Sequence, residues 1–331
     1  MNDASARRVL VTRRTFDEVL AGLRLRFDVD DNQGDQPLTP DELAARAAPC
    51  EGIVAAVADA VTPALLDACP RLRVVANCAV GTNNVDIPAC TARGVMVTNT
   101  PGVLDDTTAD HAWALMFAAA RRVVSADRWL RDGHWRAWGF MDWHGVDVHH
   151  ATLGIVGMGR IGRAIARRAA GFDMRVIYHN RKPLPDDQAL ACGAGYAGLD
   201  ELLSSADFVV VSVPYGPATH HLIGARELAL LKPSAVFVNI ARGGVVDDAA
   251  LVEVLQEGRI AAAGIDVFEN EPKLHPGFPA LDNAVLTPHI ASASRATRLG
   301  MAELAARNLV AALEGARPPS LVNPEVLSRA G

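Results

Sequence analysis

A glycine-rich turn near the middle of the chain constrains the fold more than any other feature. Residues 153–166 read as a short apolar run, then Gly157-Met-Gly159-Arg-Ile-Gly162, then helix-forming residues. In such a βα unit the first glycine permits a tight turn, the second lets the backbone approach a pyrophosphate, and the third allows close helix–strand packing. The N–H groups and dipole at the helix start hold the anion. We therefore predict that a dinucleotide is bound by the loop residues Gly157, Gly159, Arg160, Ile161 and Gly162.

Short apolar runs alternate with helix-period segments along nearly the whole chain, which is typical of right-handed βαβ units and parallel sheets. Capping sequences at Thr39-Pro40-Asp41-Glu42 and Thr62-Pro63 predict two helix starts. The stretch from Asp105 to about Arg131 has no Pro or Gly and predicts one long helix, followed by an aromatic loop. The predicted strands are 8–12, 53–57, 73–76, 95–97, 152–156, 174–178, 208–213, 235–240, 260–266 and 285–286.

The domain organisation follows from the length and from the position of the second, stronger βα series. A chain of 331 residues exceeds what one core usually organises. The last predicted helix, 294–314, follows the second series and is placed to pack back on the N-terminal part. We predict an α/β protein with two Rossmann-like, doubly wound parallel-sheet domains and an active site in the cleft between them. Residues 1–101 plus 293–331 form the substrate-binding domain, and residues 102–292 form the dinucleotide-binding domain.

Composition and charge exclude several classes of function. The net charge of −6, without a basic stripe, argues against nucleic-acid binding. The five cysteines show no C-x-x-C spacing, and no Cys or carboxylate spacing completes a metal site around the adjacent histidines His220 and His221. The longest uncharged apolar run, Ala112–Ala120, is far shorter than the ~20 residues of a membrane span. We expect a cytoplasmic protein with no nucleic-acid partner, no membrane partner and no metal.

The end of the next predicted strand indicates which dinucleotide is bound. NAD enzymes commonly place an acid there for the ribose 2′-hydroxyl, but this strand ends Tyr178-His-Asn180-Arg181-Lys182. The planar fork of Arg181 suits a 2′-phosphate, and Lys182 adds positive charge. The sequence therefore predicts binding through Asn180, Arg181 and Lys182, with NADPH preferred and NADH still possible. The alternative is a solvated basic turn.

Three later segments place polar side chains after predicted strands, where the ligand crevice of a doubly wound sheet lies. They are Asn239–Gly244, Asp266–Pro272 and Thr287–Ser292. An Arg, a Glu and a His that converge beside a nicotinamide suit hydride transfer to a 2-oxo acid. Arg242 would clamp the carboxylate and polarise the carbonyl, His289 would supply the proton, and Glu271 would hold the imidazolium. Taken singly, each has a structural alternative: a surface ion pair, a loop charge or a buried histidine.

The chain resembles the D-isomer-specific 2-hydroxyacid dehydrogenases over nearly its full length. The resemblance rests, in order along the chain, on Gly157-Met-Gly-Arg-Ile-Gly162, Ala241-Arg-Gly-Gly-Val-Val-Asp247, Asp266-Val-Phe-Glu-Asn-Glu-Pro272 and Pro288-His-Ile290. The segment Gly145–Gly154 and the Asn180-Arg181 turn are most similar to the glyoxylate/hydroxypyruvate reductase branch, including its 2-ketogluconate reductases. That branch typically prefers NADPH.

The resemblance implies a role for each matching residue. Arg242 would bind the substrate carboxylate and carbonyl, Glu271 would orient His289, and His289 would be the general acid. The substrate carboxylate would also meet the backbone of Ala79, Val80 and Gly81. The remaining positions that would bind the cofactor are Pro214, Thr219, Ile240, Asp266 and Ser292, with Asp266 near the nicotinamide carboxamide.

Two departures from the family pattern bear on the substrate pocket. Asn83 stands where relatives often have Asp, and Ala291 stands where they often have Gly. Neither changes the Arg–Glu–His set, but both leave the fine shape of the pocket open. The family also forms dimers, largely through the nucleotide domains, so a homodimer is expected. Trp143 would pack in the core or the dimer, or reach the partner's active site.

The leading hypothesis is NADPH-dependent reduction of a small 2-oxo acid to the D-2-hydroxy acid, with glyoxylate and hydroxypyruvate as the first candidates and 2-ketogluconate as the next. One alternative is another D-2-hydroxyacid dehydrogenase, of the D-lactate or phosphoglycerate type. The other is a non-catalytic, dinucleotide-sensing protein similar to the C-terminal-binding-protein corepressors. The sequence does not rank the substrates, because a few side chains in the cleft and its closure set that choice.

Overall fold

Strands and helices alternate along the chain, as the repeated apolar runs predict. The computed structural model describes residues 7–329, and the chain divides into two units: the part up to Leu104 together with the part from Ser294 onward, and Asp105–Ala293. The terminal residues 1–6 and 330–331 of the predicted first domain lie outside the described residues. The elements of the first part are β1 Arg8–Val11, α1 Asp17–Arg24, β2 Asp28–Asp31, α2 Pro40–Ala47, β3 Gly52–Ala55, α3 Pro63–Ala68, β4 Val74–Asn77, α4 Ile87–Ala92 and β5 Met96–Thr98.

The five strands of this unit form a parallel sheet in the order β2-β1-β3-β4-β5. Both predicted helix starts are confirmed. The Thr39 side chain accepts from the Glu42 N–H in a full capping box, and Thr62 accepts from the Leu65 N–H. Strand β2 is absent from the sequence-based prediction, because its Asp-Val-Asp-Asp sequence is not apolar. Its acids are instead paired with arginines on neighbouring helices: Arg24 with Asp31, and Arg46 with Asp30.

The second unit contains a parallel sheet of seven strands in the order β12-β11-β10-β9-β6-β7-β8. Its elements are α5 Asp105–Ala120, α6 Val123–Arg131, β6 Thr152–Val156, α7 Arg160–Ala169, β7 Arg175–His179, α8 Asp186–Ala191, β8 Ala194–Tyr196, α9 Leu199–Ser205, β9 Phe208–Val211, α10 Ala225–Leu228, β10 Val236–Asn239, α11 Asp248–Gln256, β11 Ala262–Ile265 and β12 Ala284–Leu286.

Helices cover both faces of this sheet. In β9, Phe208 and Val210 pack into one buried cluster, whereas Val209 and Val211 pack into another. Alternate residues of a strand point to opposite faces, so β9 is buried on both sides. The prediction of a doubly covered parallel sheet is confirmed.

The last helix, α12 Arg295–Leu313, returns to the first unit. Ser294 caps it by accepting a hydrogen bond from the Thr297 N–H. Leu309 and Ala305 join a buried cluster with Val74 of β4, so the helix completes the core of the first sheet. Single 3₁₀ helices lie at Ala170–Phe172, Phe278–Ala280 and Pro324–Arg329. None of the helices within residues 7–329 is long and apolar enough to cross a membrane.

The prediction of a single helix from Asp105 to Arg131 is wrong, because the segment forms two helices that break at Arg122. Arg122 has a φ of 54°, in the left-handed region that residues with side chains rarely adopt. The Ala120 carbonyl accepts a hydrogen bond from the Val146 N–H at 2.8 Å, and the Arg122 guanidinium lies 5.0 Å from the ring centroid of Trp143. The returning aromatic loop therefore ends α5, which explains why neither Pro nor Gly marks the break.

Candidate active site and cofactor loop

The glycine loop between β6 and α7 has the shape that a bound pyrophosphate requires. Gly157 has a φ of 105°, and a Cβ there would lie 2.5 Å from the carbonyl oxygen of Ser212. A Cβ on Gly162 would collide with the Gly157 carbonyl. At Gly159, by contrast, a Cβ would meet nothing within 4 Å, and no side chain caps the start of α7 there. Gly157 and Gly162 thus fit the loop into the sheet, while Gly159 leaves backbone N–H groups open to an anion.

The residues around this loop differ in what they contact. The Asn180 side chain accepts a hydrogen bond from the Met158 N–H at 2.8 Å and so braces the loop. Arg160 forms an ion pair with Asp105 at 3.4 Å, and Ile161 is half-buried. Arg181 and Lys182 follow β7, are exposed, and form no ion pair with any residue in the range 7–329.

Two other predicted cofactor residues sit in the loop that follows β9. The Thr219 hydroxyl donates to the Pro214 carbonyl at 2.8 Å and accepts from the Gly216 N–H at 2.9 Å, so it holds this loop in a tight turn. Ile240 is buried directly after β10, and Ser292 is half-buried in the loop after β12. All these positions lie in segments that follow the carboxyl ends of strands of one sheet.

Glu271 and His289 are in direct contact. The His289 Nδ1 lies 2.8 Å from the Glu271 Oε2, and the Glu271 Oε1 accepts a hydrogen bond from the Phe268 N–H at 2.9 Å. His289 has a φ of 53°, an uncommon conformation for a residue with a side chain. Its N–H donates to the carbonyls of Asp266 and Thr287, at 2.9 and 3.0 Å, and these bonds hold that conformation.

The electrostatics of this pair favour an ionised carboxylate. Burial alone would raise the pKa of the Glu271 carboxyl. The hydrogen bond and charge of His289, the Phe268 N–H and the Arg242 charge outweigh burial and hold the pKa of Glu271 below its ordinary value. The carboxylate therefore carries its negative charge beside the imidazole.

Arg242 follows β10 in the same unit. Its Nη1 donates to the Ala241 carbonyl at 2.7 Å. Burial lowers the pKa of its guanidinium, while the nearby charges of Glu271 and Asp266 act in the opposite direction. The fold therefore gathers Arg242, Glu271 and His289 in one electrostatic neighbourhood, although they lie far apart in the sequence.

Asp266 is fully buried and organises the backbone around His289. Its Oδ1 accepts from the Thr287 hydroxyl at 2.7 Å and from the Ile290 N–H at 2.8 Å, and its Oδ2 accepts from the Ala291 N–H at 2.9 Å. Burial would raise the pKa of Asp266, but the hydrogen bonds from His111, Thr287 and Ile290 keep it below the ordinary value. The residue thus fixes the backbone on either side of His289.

Sequence reasoning missed His111, which belongs to this network. It lies on α5, and its Nε2 is 3.2 Å from the Asp266 Oδ1 and 3.1 Å from the Thr287 Oγ1. The sequence signal is faint: a polar residue in an otherwise Ala-rich helix, with its partner Thr287 separated by 176 positions. No local spacing connects them.

The predicted substrate loop lies in the first unit, directly after β4. The carbonyls of all three of its residues accept hydrogen bonds from the same unit. The Ala79 carbonyl accepts from the Thr100 N–H at 2.9 Å. The Val80 carbonyl accepts from the Asn99 side-chain amide at 2.9 Å, and the Gly81 carbonyl accepts from the Asn77 side-chain amide at 2.8 Å. The N–H groups of these three residues donate to no other residue in the range 7–329. The loop is therefore fixed in shape and offers unused backbone donors.

Comparison with known proteins agrees with this geometry. The family model described as "D-isomer specific 2-hydroxyacid dehydrogenase, NAD binding domain" matches residues 113–291, which is more than half of the chain. A glyoxylate reductase of Thermococcus onnurineus is 47% identical over 326 residues, which cover 97% of each chain. Another, of Aeropyrum pernix, is 46% identical over 326 residues, again 97% of each chain.

Solved structures extend the likeness to three dimensions. The crystal structure of an NADPH-dependent glyoxylate/hydroxypyruvate reductase of Sinorhizobium meliloti, in complex with NADP and malonate, is similar with a TM-score of 0.85 and 35% identity over 97% of this chain and 98% of that one. With relatives this similar along almost its whole length, and with a loop that fits a dinucleotide, the chain belongs to the D-isomer-specific 2-hydroxyacid dehydrogenases, the NAD(P)-dependent oxidoreductases of 2-oxo and 2-hydroxy acids.

Proposed function

We propose that the protein reduces glyoxylate and hydroxypyruvate to the corresponding 2-hydroxy acids, with NADPH as the preferred cofactor. The observation that carries the proposal is the contact between Glu271 and His289, with Arg242 beside them. The glyoxylate reductases at 44–47% identity support the choice of substrate. Accordingly, Asp105–Ala293 acts as the dinucleotide-binding domain, and the remainder contributes the substrate loop.

His289 and Glu271 supply the acid chemistry. Glu271 holds the Nδ1 of the imidazole, so the Nε2, which bonds to no other residue in the described part of the chain, delivers the proton to the carbonyl oxygen of the substrate. The negative charge of Glu271 stabilises the protonated ring. A reduced nicotinamide supplies the hydride when it is bound.

Arg242 orients the 2-oxo acid. A guanidinium presents two parallel N–H donors, which match a carboxylate or a carboxylate together with its neighbouring carbonyl. In the substrate loop, the unused N–H groups of Ala79, Val80 and Gly81 are backbone donors of the kind that bind a carboxylate. Anion binding here needs no metal, because the donors are all N–H groups.

The cofactor preference rests on the turn after β7. Arg181 and Lys182 place two exposed cations, without an ion-pair partner among residues 7–329, where NAD enzymes commonly carry an acid. A 2′-phosphate supplies the missing negative charge. Asn180, which braces the glycine loop, links this turn to the pyrophosphate position.

We also propose a homodimer. Helix α6 buries none of its residues, and its apolar side chains are exposed with those of the following loop. The exposed residues are Val123, Val124, Leu130, Trp135, Trp138, Phe140 and Met141. A contiguous chain segment with so many exposed large apolar side chains is typical of a protein interface.

The experiment is a steady-state kinetic panel of glyoxylate, hydroxypyruvate, pyruvate and 2-ketogluconate, each with NADPH and NADH. We expect the highest kcat/KM for glyoxylate or hydroxypyruvate with NADPH. In Arg181→Ala the KM for NADPH is expected to rise by roughly tenfold, since one ion pair to a phosphate is lost, while the KM for NADH stays close to that of the wild type. A clear preference of the wild type for NADH would contradict the cofactor proposal.

A further inference from the structure

Two adjacent histidines outside the candidate active site meet a carboxylate that the sequence does not place near them. His220 and His221 lie in the loop after β9, and Glu269 lies in the loop after β11, 48 positions beyond His221. One nitrogen of each ring and one carboxylate oxygen all lie within 4.8 Å of one another. No other group of three His, Cys, Asp or Glu side chains within residues 7–329 meets that condition.

A glycine leaves the space that these atoms face. Gly244 has a φ of 78°, and a Cβ on it would lie 3.6 Å from both the Glu269 Oε1 and the His220 Nδ1. The Tyr215 ring borders the same space, since its Cε2 would lie 3.0 Å from that Cβ, and the Tyr215 hydroxyl lies 3.3 Å from the His220 Nδ1. A bound ion would replace this contact of the Nδ1. The His221 Nε2 reaches the same carboxylate oxygen at 2.7 Å.

Backbone hydrogen bonds hold the chain segments that carry these side chains. The His221 N–H donates to the Gly244 carbonyl at 2.8 Å, and the Glu269 N–H donates to the Asp248 Oδ2 at 2.9 Å. The two imidazole rings stack with centroids 4.1 Å apart. The three donors are therefore positioned by the fold rather than by flexible chain ends.

We propose that His220, His221 and Glu269 bind a divalent transition-metal ion, Zn²⁺. Two neutral imidazoles and one carboxylate are a donor set that Zn²⁺ takes, with water in the remaining position. At Zn–N and Zn–O distances of about 2.0–2.2 Å, ligand atoms stand about 3.3 Å apart, so the hydrogen bond between His221 and Glu269 has to open by a fraction of an ångström. The exposed His220 ring also has to turn out of the stack, because an ion lies close to the plane of each imidazole that binds it and the two ring planes are only 22° apart. The proposal is independent of the proposed reductase function.

Such an ion would join two loops of the nucleotide-binding unit. One carries Thr219, directly before His220, and the other carries Glu271, two positions after Glu269. An ion that binds only the folded chain stabilises it by mass action. Bound Zn²⁺ is therefore expected to raise the thermal unfolding midpoint, a readout separate from activity.

The test uses the full-length, tag-free protein after treatment with a chelator, titrated with zinc chloride by calorimetry. We expect one Zn²⁺ per wild-type chain, and a loss of affinity of at least about tenfold in His220→Ala and in Glu269→Gln. The matched control is His149→Ala, since His149 and His150 also stack, with centroids 5.0 Å apart, but gather no third ligand among residues 7–329. The control is expected to bind like the wild type.

Two results would overturn the proposal. One is a wild-type chain that takes up no Zn²⁺ and shows no rise in its unfolding midpoint. The other is a His220→Ala chain that binds Zn²⁺ as tightly as the wild type, which would place the ion on other groups such as the free thiols. His220 is exposed, so its replacement leaves the fold intact and the comparison stays valid.

Discussion

Glu271 divides its two carboxylate oxygens between different tasks. One accepts the backbone N–H of Phe268, which fixes the position of the carboxylate, and the other meets the His289 ring. The backbone bond removes the freedom that a loop carboxylate would otherwise have. Its negative charge therefore acts at a fixed distance on the imidazole, which a neutral side chain of the same shape cannot reproduce.

Glu271→Gln tests this role. The amide keeps the size of the side chain but removes the charge that stabilises the protonated ring, so kcat for glyoxylate is expected to fall roughly 10²–10⁴-fold with NADPH affinity unchanged. Steady-state kinetics and a cofactor titration measure the two effects. Glu257→Gln, at an exposed ion pair with Arg259, is the control and is expected to behave like the wild type. Full kcat in Glu271→Gln would remove the residue from the mechanism.

Asp248, at the start of α11, makes stability depend on pH. Burial raises its pKa from 3.8 to about 6, so the folded chain holds this proton more tightly than the unfolded chain. The resulting stabilisation is complete below pH ~4 and is lost as the pH rises through about 6. Asn at this position can still accept the hydrogen bond from the Glu269 N–H.

Asp248→Asn is therefore expected to raise the free energy of unfolding at pH 8, by roughly 1–3 kcal/mol, and to change it little at pH 4. Urea unfolding at the two pH values measures the difference. An equal effect at both would show that the charge of Asp248 is not what limits stability.

At the scale of elements, the turn from β6 into α7 depends on backbone that only glycine permits. A Cβ on Gly157 would press on the Ser212 carbonyl, at a φ of 105° that residues with side chains avoid. Because β6 pairs with β9, which leads into Ser212, the added atom would force two neighbouring strand ends apart. The anion-binding N–H groups lie in the same turn.

Gly157→Ala is expected to weaken NADPH binding by at least about tenfold and to lower the free energy of unfolding by roughly 1–3 kcal/mol. Fluorescence titration and urea unfolding measure the two changes. Gly171→Ala is the matched control, since a Cβ there meets nothing within 4 Å and the φ is not positive. If Gly157→Ala binds NADPH like the control, the loop does not hold the pyrophosphate.

Local patterns in the sequence were sufficient for the elements whose causes are local. The apolar runs, the Thr39 and Thr62 caps and the glycine turn all form as expected. Strand β8 escaped prediction because Ala-Gly-Tyr carries no apolar run, and the break at Arg122 escaped because its cause, the returning loop, lies more than 20 positions away. Where a distant part of the chain determines the local conformation, the local spacing of residue types does not predict it.

The candidate site likewise contains residues that local sequence patterns predicted and residues that those patterns could not predict. The order of Arg242, Glu271 and His289 along the chain predicted a shared site, and the structure brings Glu271 and His289 into contact, with the charge of Arg242 acting on Glu271. His111 could not be found, because a histidine within a helix looks the same whether or not a buried acid faces it. Glu269, whose carboxylate completes the cluster with His220 and His221, could not be predicted either, because only the fold brings it close to them.

On the scale of the whole molecule, positive charge is concentrated at a few positions, although the net charge of the chain is negative. The chain carries −6 overall, yet the positions proposed to bind anions are Arg181, Lys182, Arg242 and backbone N–H groups. The exposed apolar side chains are concentrated as well, on α6 and the loop after it. Both concentrations are typical of surfaces that bind a ligand or another chain.

Leu130→Glu tests the dimer. Leu130 is 50% exposed on α6, and a charge there is expected to oppose burial against a partner, which shifts the protein toward the monomer in sedimentation velocity. Leu190→Glu is the control, because Leu190 is 80% exposed on α8, which is a different helix and outside the segment proposed as the interface. A monomeric wild type, or an unchanged dimer in Leu130→Glu, would contradict the assigned interface.

The most direct measurement is the steady-state reduction of glyoxylate with NADPH by the wild-type protein and by His289→Gln. We predict turnover by the wild type and a kcat lower by roughly 10²–10⁴-fold in the variant, with NADPH bound equally tightly, because only the proton donor is removed. The account is contradicted by a wild type that binds NADPH but reduces no 2-oxo acid, or by a variant that turns over as fast as the wild type.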